Sequence, residues 1–310
     1  MADEKLFEKL CEYFRGRPEL VDSVPFHTFS RAKEASFVFF SQMVGWEIED
    51  FPKAAPITLE TMIGCAETKK KELDSIEAPA KECASKLYRF GVDDIEINGI
   101  YLMTDGSSLP VRVDLSIRNG DDNRISRTMY MKPFDPMRIL GIELYKLTGG
   151  IEQDYEFFFN GGIVVEDNIE GRHEFDINED LKSNEVYVRS RVREDLVSFF
   201  IGLDDLAKTD NYVVAPNGKI KVIDFDTMDM QYSEEQKAQI MAFTAQELGI
   251  TPEEYKRIFD EEKRNLRLRV MEHRDRIYRI CEIFESSDDE VITGIGKYIR
   301  QNTDKLLEEH

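Results

Sequence analysis

The feature that most restricts this chain is the dipeptide Asn217-Gly218, set between two β-prone runs, Tyr212-Val213-Val214 and Lys219 to Ile223. Asn-Gly in that setting is the strongest short-range hairpin signal, because both residues tolerate the positive φ of a type I′ turn. The two runs therefore pair as antiparallel strands. Pairing folds Asn211, just before the first strand, back beside Asp224, just after the second, and brings the acidic loop carrying Asp205 towards both. An amide oxygen and carboxylates gathered in this way are hard ligands suited to Mg²⁺. In Val222-Ile223-Asp224-Phe225-Asp226 the carboxylates abut an apolar strand, and charge beside a core strand is costly unless it is paired or bound to metal.

Away from the hairpin the periodicity changes along the chain. Residues from about 3 to 90 read as helical: Leu6, Leu10 and Phe14 share one face, and Ala32 to Val44 and Leu59 to Leu87 keep apolar residues at helical spacing. Between Ile95 and Phe134 apolar and polar residues alternate, broken by turns at Asp105 to Ser108 and Asn119 to Asp122, which predicts a three-stranded antiparallel sheet. A helix from Pro136 to Leu147, two strands at Tyr155 to Asn160 and Gly162 to Val165, and a helix from Val186 to Ile201 follow. From Glu234 to Leu307 the chain is helical, with breaks near Gly249 to Pro252 and Ser286 to Asp289.

The 310 residues carry 62 acidic and 41 basic side chains, a net charge of -21 that disfavours attraction to nucleic acid or anionic membrane surfaces. Cys11, Cys65, Cys83 and Cys281 are scattered, with no Cys-x-x-Cys pair and no clustered histidine, which argues against zinc and a disulfide framework. No apolar run reaches membrane-spanning length and no signal core opens the chain, so a cytoplasmic protein is expected, a description that an exported effector also meets. Asp176, Asn178 and Asp180 begin like a calcium loop, but Leu181 and Tyr187 occupy its glycine and closing glutamate positions. The arginines between Lys256 and Glu285 interleave with acids, the pattern of a salt-bridged helix surface.

Asp205-Leu206-Ala207-Lys208-Thr209-Asp210-Asn211, followed by Asp224-Phe225-Asp226, resembles the catalytic loop and metal-binding strand of the protein-kinase-like superfamily. The resemblance implies an α+β, two-lobed protein-kinase-like fold: a helical N-terminal extension over 1–92, a small β-rich lobe over 93–165 and a helical large lobe over 166–310. It implies ATP and Mg²⁺ as cofactors in an atypical phosphotransferase acting on a protein or small-molecule hydroxyl. Asp205 would orient or deprotonate that hydroxyl, with Asp204 and Asp210 as alternatives because the loop is one residue longer than the family pattern. Lys208 would neutralise the transferred phosphate; Asn211, Asp224 and Asp226 would hold the metal. Lys132 would contact the nucleotide phosphates and Glu143 would be its ion-pair partner, Glu152 and Glu156 offering the same chemistry. Ser107 and Ser108 would cover the phosphates, and Glu166 and Asp167 would open a nucleotide-binding hinge over 166–171.

The family's histidine and arginine before the catalytic aspartate are here Leu203 and Asp204, its Gly-rich loop has no counterpart, and Met228 to Tyr232 leaves no room for a long activation segment. These departures resemble the atypical branches: phosphoinositide kinases, aminoglycoside phosphotransferases and the dehydratase domains of lanthionine synthetases. The same pattern also serves a nucleotide site used for adenylylation, or an inactive pseudokinase scaffold.

Overall fold

The structure, a computed structural model, describes residues 9–10, 12–14, 77–102, 111–120, 123–133, 136–149, 157–160, 163–168, 172–173, 184–203, 212–223, 225 and 231–308. The fold is α+β and divides into two compact units. The first holds the described residues up to Pro133 together with 157–168, and the second holds 136–149 and 172–308. Among the described residues no helix is long and apolar enough to cross a membrane.

The first unit is built on one antiparallel sheet. Its strands are β1 (Ile95–Leu102), β2 (Val111–Arg118), β3 (Arg124–Pro133), β4 (Phe157–Asn160) and β5 (Ile163–Asp167), in the order β1-β2-β3-β5-β4. Alternation in β2 buries Val111, Val113, Leu115 and Ile117 on one face and leaves Arg112, Asp114 and Ser116 on the other. The apolar face, with Met129, Met131 and Val165, packs on Ala80, Cys83, Ala84 and Leu87 of helix α1 (Glu77–Tyr88). Each fully buried valine, leucine, isoleucine or methionine side chain among them contributes roughly 1.5–3 kcal/mol. The helix assigned by periodicity to an N-terminal extension is thus the lid of this unit's core.

Helices dominate the second unit. In chain order they are α2 (Pro136–Thr148), α3 (Glu185–Ile201), α4 (Glu234–Glu247), α5 (Pro252–Glu272), α6 (Arg274–Glu285) and α7 (Glu290–Glu308). A small sheet of β6 (Arg172–His173), β7 (Tyr212–Val214) and β8 (Ile220–Val222) joins them. Helix α2 is buried along nearly its whole length, against α3, α5 and α6, its charged Arg138 and Glu143 included. Helix α3 starts at Asn184, whose side chain accepts from the Val186 amide, and stops at Gly202, which takes the left-handed conformation with φ 78°. One helix expected between Lys256 and Glu285 is two: His273, at φ -105° and ψ 15°, interrupts it while hydrogen bonds of helical spacing continue on both sides.

Candidate functional site

Lys132 lies near the end of β3, on the face opposite Met129 and Met131, because side chains alternate along a strand. It is 7% exposed, and its Nζ is 3.0 Å from Glu166 Oε2 on the neighbouring strand β5. The same polar face carries Arg112, which donates through Nε and Nη2 to both oxygens of Asp114 at 3.0 Å, and Thr128, whose hydroxyl donates to Asp114 at 2.7 Å. Glu166 and Asp167, read from the sequence as the start of a hinge, are instead the last residues of β5, opposite Tyr130 and Met129. The strand runs on because its end is satisfied: the Tyr88 hydroxyl donates to Asp167 Oδ1 at 2.7 Å, and the Asn168 amide donates to Thr128 O at 2.9 Å.

Glu143 is fully buried on α2, and the ion pair described for it is with Arg276 of α6, while the one described for Lys132 is with Glu166. Two residues further along α2, Tyr145 donates its hydroxyl to Glu194 Oε2 at 2.6 Å, and its ring meets Phe225 edge-on at 5.4 Å between centroids. The phenylalanine of Asp224-Phe225-Asp226 is thereby anchored, 2% exposed, against the helix that carries Glu143.

Burial pushes the Glu194 carboxyl above its ordinary 4.5, opposed by Arg193 and by the Tyr145 hydroxyl. A raised carboxyl contributes stability that is fully present below its unfolded value and is lost as pH rises through the folded one. Replacing Glu194 by glutamine removes that pH-dependent loss. The stability advantage of wild type over Glu194→Gln is expected to narrow as pH rises from about 4 to about 8, read from urea midpoints; a gap that widens contradicts the assignment.

The hairpin forms as expected, with Tyr212 opposite Val222, Val213 opposite Lys221 and Val214 opposite Ile220. Its turn is different. The Gly218 amide donates to Ala215 O at 2.9 Å and the Ala215 amide to Lys219 O at 2.8 Å, which closes a three-residue loop, Pro216-Asn217-Gly218. Only Gly218, at 85°, has positive φ there; the one non-glycine with positive φ among the described residues is Arg89. Pro216 is the reason: its ring presets the φ of the first central position of a type I turn, and Gly218 then supplies the left-handed bulge residue.

The register sets Tyr212 and Val222 side by side at the end of the hairpin next to Asn211 and Asp224 in sequence. Asn211, Asp224 and Asp226, with Asp204, Asp205, Lys208, Asp210, Ser107, Ser108, Glu152 and Glu156, lie outside the described residues. Among the described residues no three His, Cys, Asp or Glu side chains group as a metal site.

Both borders of the acidic loop are held by side chains that the sequence reading passed over. On one side the Tyr232 hydroxyl donates to Leu203 O at 2.6 Å. On the other, Arg191 sets its guanidinium 5.8 Å from the Tyr212 ring centroid and its Nη1 2.5 Å from Asp195 Oδ1, while Tyr255 donates to Asp195 Oδ2 at 2.7 Å. One signal was available: Arg191, Arg193, Glu194 and Asp195 fall in a helix flanked by apolar residues on every side, where charges must find internal partners. Comparison of the chain with family models and with curated proteins returns no match.

Proposed function

We propose that this chain is an ATP- and Mg²⁺-dependent phosphotransferase with a two-lobed kinase-like fold, acting on a hydroxyl of a protein or small molecule. The observation that carries the reading is Lys132. An amine 7% exposed near the end of a sheet strand, 3.0 Å from Glu166, is expensive to hold for packing alone and well suited to anionic phosphate oxygens. Further support comes from the element order, a sheet, one helix, two strands, a helix and then a hairpin, and from Phe225 seated on α2.

In this reading Asp205 orients the attacking hydroxyl, and Lys208 offsets charge on the phosphoryl group in flight. Asn211, Asp224 and Asp226 would hold Mg²⁺, which when bound neutralises the phosphate oxygens. Glu166 keeps the Lys132 ammonium oriented. The protein's work is positioning and charge neutralisation, which is what phosphoryl transfer demands.

Thermal unfolding with and without Mg²⁺·ATP tests the site. Nucleotide at a hundredfold excess over Kd is expected to stabilise the wild type by about 2.7 kcal/mol, and Asp224→Ala to abolish the effect. Label is expected to reach the protein or a substrate from γ-labelled ATP. Transfer from α-labelled ATP alone would assign adenylylation, and no stabilisation at saturating nucleotide would leave a binding scaffold.

A further inference from the structure

Helix α3 ends immediately before the acidic loop: Ile201 is its last residue, Gly202 its cap and Asp204 the first acid beyond it. The last carbonyls of an α-helix have no partner within the helix, and the group that satisfies them decides how firmly the chain beyond is held. In α3 the Ser198 carbonyl accepts from the Gly202 amide at 2.8 Å and the Leu203 amide at 3.2 Å. The next two carbonyls are taken by side chains of α7. The Tyr298 hydroxyl donates to Phe199 O at 2.6 Å, and the Asn302 amide nitrogen donates to Phe199 O at 3.2 Å and to Phe200 O at 3.0 Å.

Tyr298 and Asn302 are four residues apart, the spacing that puts two side chains on one face of a helix. A third side chain, from beyond the hairpin, meets the same turn. The Phe199 ring lies edge-on to Tyr232 at 5.1 Å between centroids, and the Tyr232 hydroxyl takes Leu203 O. The end of α3 is thus gripped at Phe199, Phe200 and Leu203. Water would satisfy these carbonyls without fixing them, and α7 has apolar side chains of its own to bury, Ile295, Ile299 and Leu306. The polar contacts add something that apolar burial does not supply: a fixed direction for the backbone that leaves the helix.

We propose that Tyr298 and Asn302 are positioning residues: by fixing the last turn of α3 they set where the acidic loop departs, and through it the placement of Asp205 for the attacking hydroxyl. They act through the backbone and not on the reacting atoms. The effect on turnover rests on the phosphotransferase reading, whereas the hold on the end of α3 does not.

Two readouts on the full chain test it, in Asn302→Leu, which keeps the size and removes the donor, and in Tyr298→Phe/Asn302→Leu. Thr303→Val is the matched control, because Thr303 is fully buried on α7 and its hydroxyl donates to Ile299 O within that helix, so the change perturbs α7 without releasing α3. Hydrogen exchange at the Gly202 and Leu203 amides is expected to accelerate about tenfold in Asn302→Leu, the effect of losing a hydrogen bond, further in the double variant, and not in Thr303→Val. In the double variant kcat for transfer from Mg²⁺·ATP is expected to fall about 10–100-fold, the scale of a small misplacement at the reacting centre. KM for Mg²⁺·ATP is expected to hold, since Lys132 belongs to β3 and Asp224 follows β8. Asn302→Gln, which returns a donor, is expected to recover part of the lost kcat. Unchanged exchange in the double variant, faster exchange with wild-type kcat, or an equal loss of kcat in Thr303→Val would overturn the proposal. A wild type that neither binds nor turns over Mg²⁺·ATP would refute the phosphotransferase reading, and with it the role in turnover, while the exchange rates still decide whether α7 holds the end of α3.

Discussion

Lys132→Met is expected to lower ATP-dependent transfer about 10²–10³-fold, the scale seen when one preorganised charge contact to the reacting group is removed. The expectation rests on the nucleotide-site reading, and its force comes from a second arm. Lys132 and Glu166 form an ion pair with both side chains largely shielded, 9% and 15% exposed, so removing the lysine also leaves a shielded carboxylate without this cation. That loss is expected to reduce stability by about 1–3 kcal/mol, and Lys132→Met/Glu166→Gln is expected to recover most of it. The two readouts therefore separate. If the lysine serves phosphate oxygens, the double variant regains its urea midpoint but neither its turnover nor its stabilisation by Mg²⁺·ATP. Recovery of nucleotide-dependent stabilisation in the double variant would make the pair a purely structural element of the sheet.

The largest loss of stability is expected from Arg191→Met. Arg191 is 4% exposed and Asp195 2%, and together with Tyr255 they bridge α3 to α5. Removing one member of a buried pair costs about 3–5 kcal/mol, mostly because the surviving charge stays buried. Here the survivor is Asp195, left with the hydroxyl of Tyr255. Chemical denaturation measures the drop, and Arg191→Met/Asp195→Asn is expected to restore most of it by removing the stranded charge. Because the guanidinium also lies over Tyr212, the first residue of β7, amide exchange at Val213 and Val214 is expected to accelerate in the single variant. A loss below about 1 kcal/mol, typical of exposed pairs, would mean that solvent reaches the pair.

Much of the architecture is legible from short-range patterns. The alternation between Ile95 and Phe134 is three strands, and the helices expected from Pro136 and up to Ile201 end within one residue of where they do. Such features are decided by period and by capping chemistry within a few positions, as with Asn184 and Gly202 on α3. The hairpin is legible for the same reason. Its turn type is not read correctly from Asn217-Gly218 alone, since Pro216, one residue earlier, changes which position must take positive φ.

Partners across long separations are less legible. Glu166 and Asp167 look like linker residues because two adjacent acids after a β-branched run signal an end to a strand. Nothing local reveals that Lys132, Tyr88 and the carbonyl of Thr128 await that segment. Glu143 finds Arg276, 133 residues away, and Tyr145 finds Glu194, 49 residues away. Side-chain charge carries no periodic label for its partner, so residue type alone cannot select among 41 cations and 62 acids.

The sequence by itself determined the α+β character, the order of elements and the residues from which a phosphate- and metal-binding chemistry can be proposed, because turn chemistry, caps and hydrophobic period act over a few residues. Only the tertiary structure decided which charges meet: that Lys132 sits with Glu166, that Glu143 sits with Arg276, and that Arg191 sits with Asp195 and Tyr212. Those choices depend on helix and strand packing across long separations, where burial makes an unpartnered charge too expensive to keep and so selects the arrangement that satisfies it.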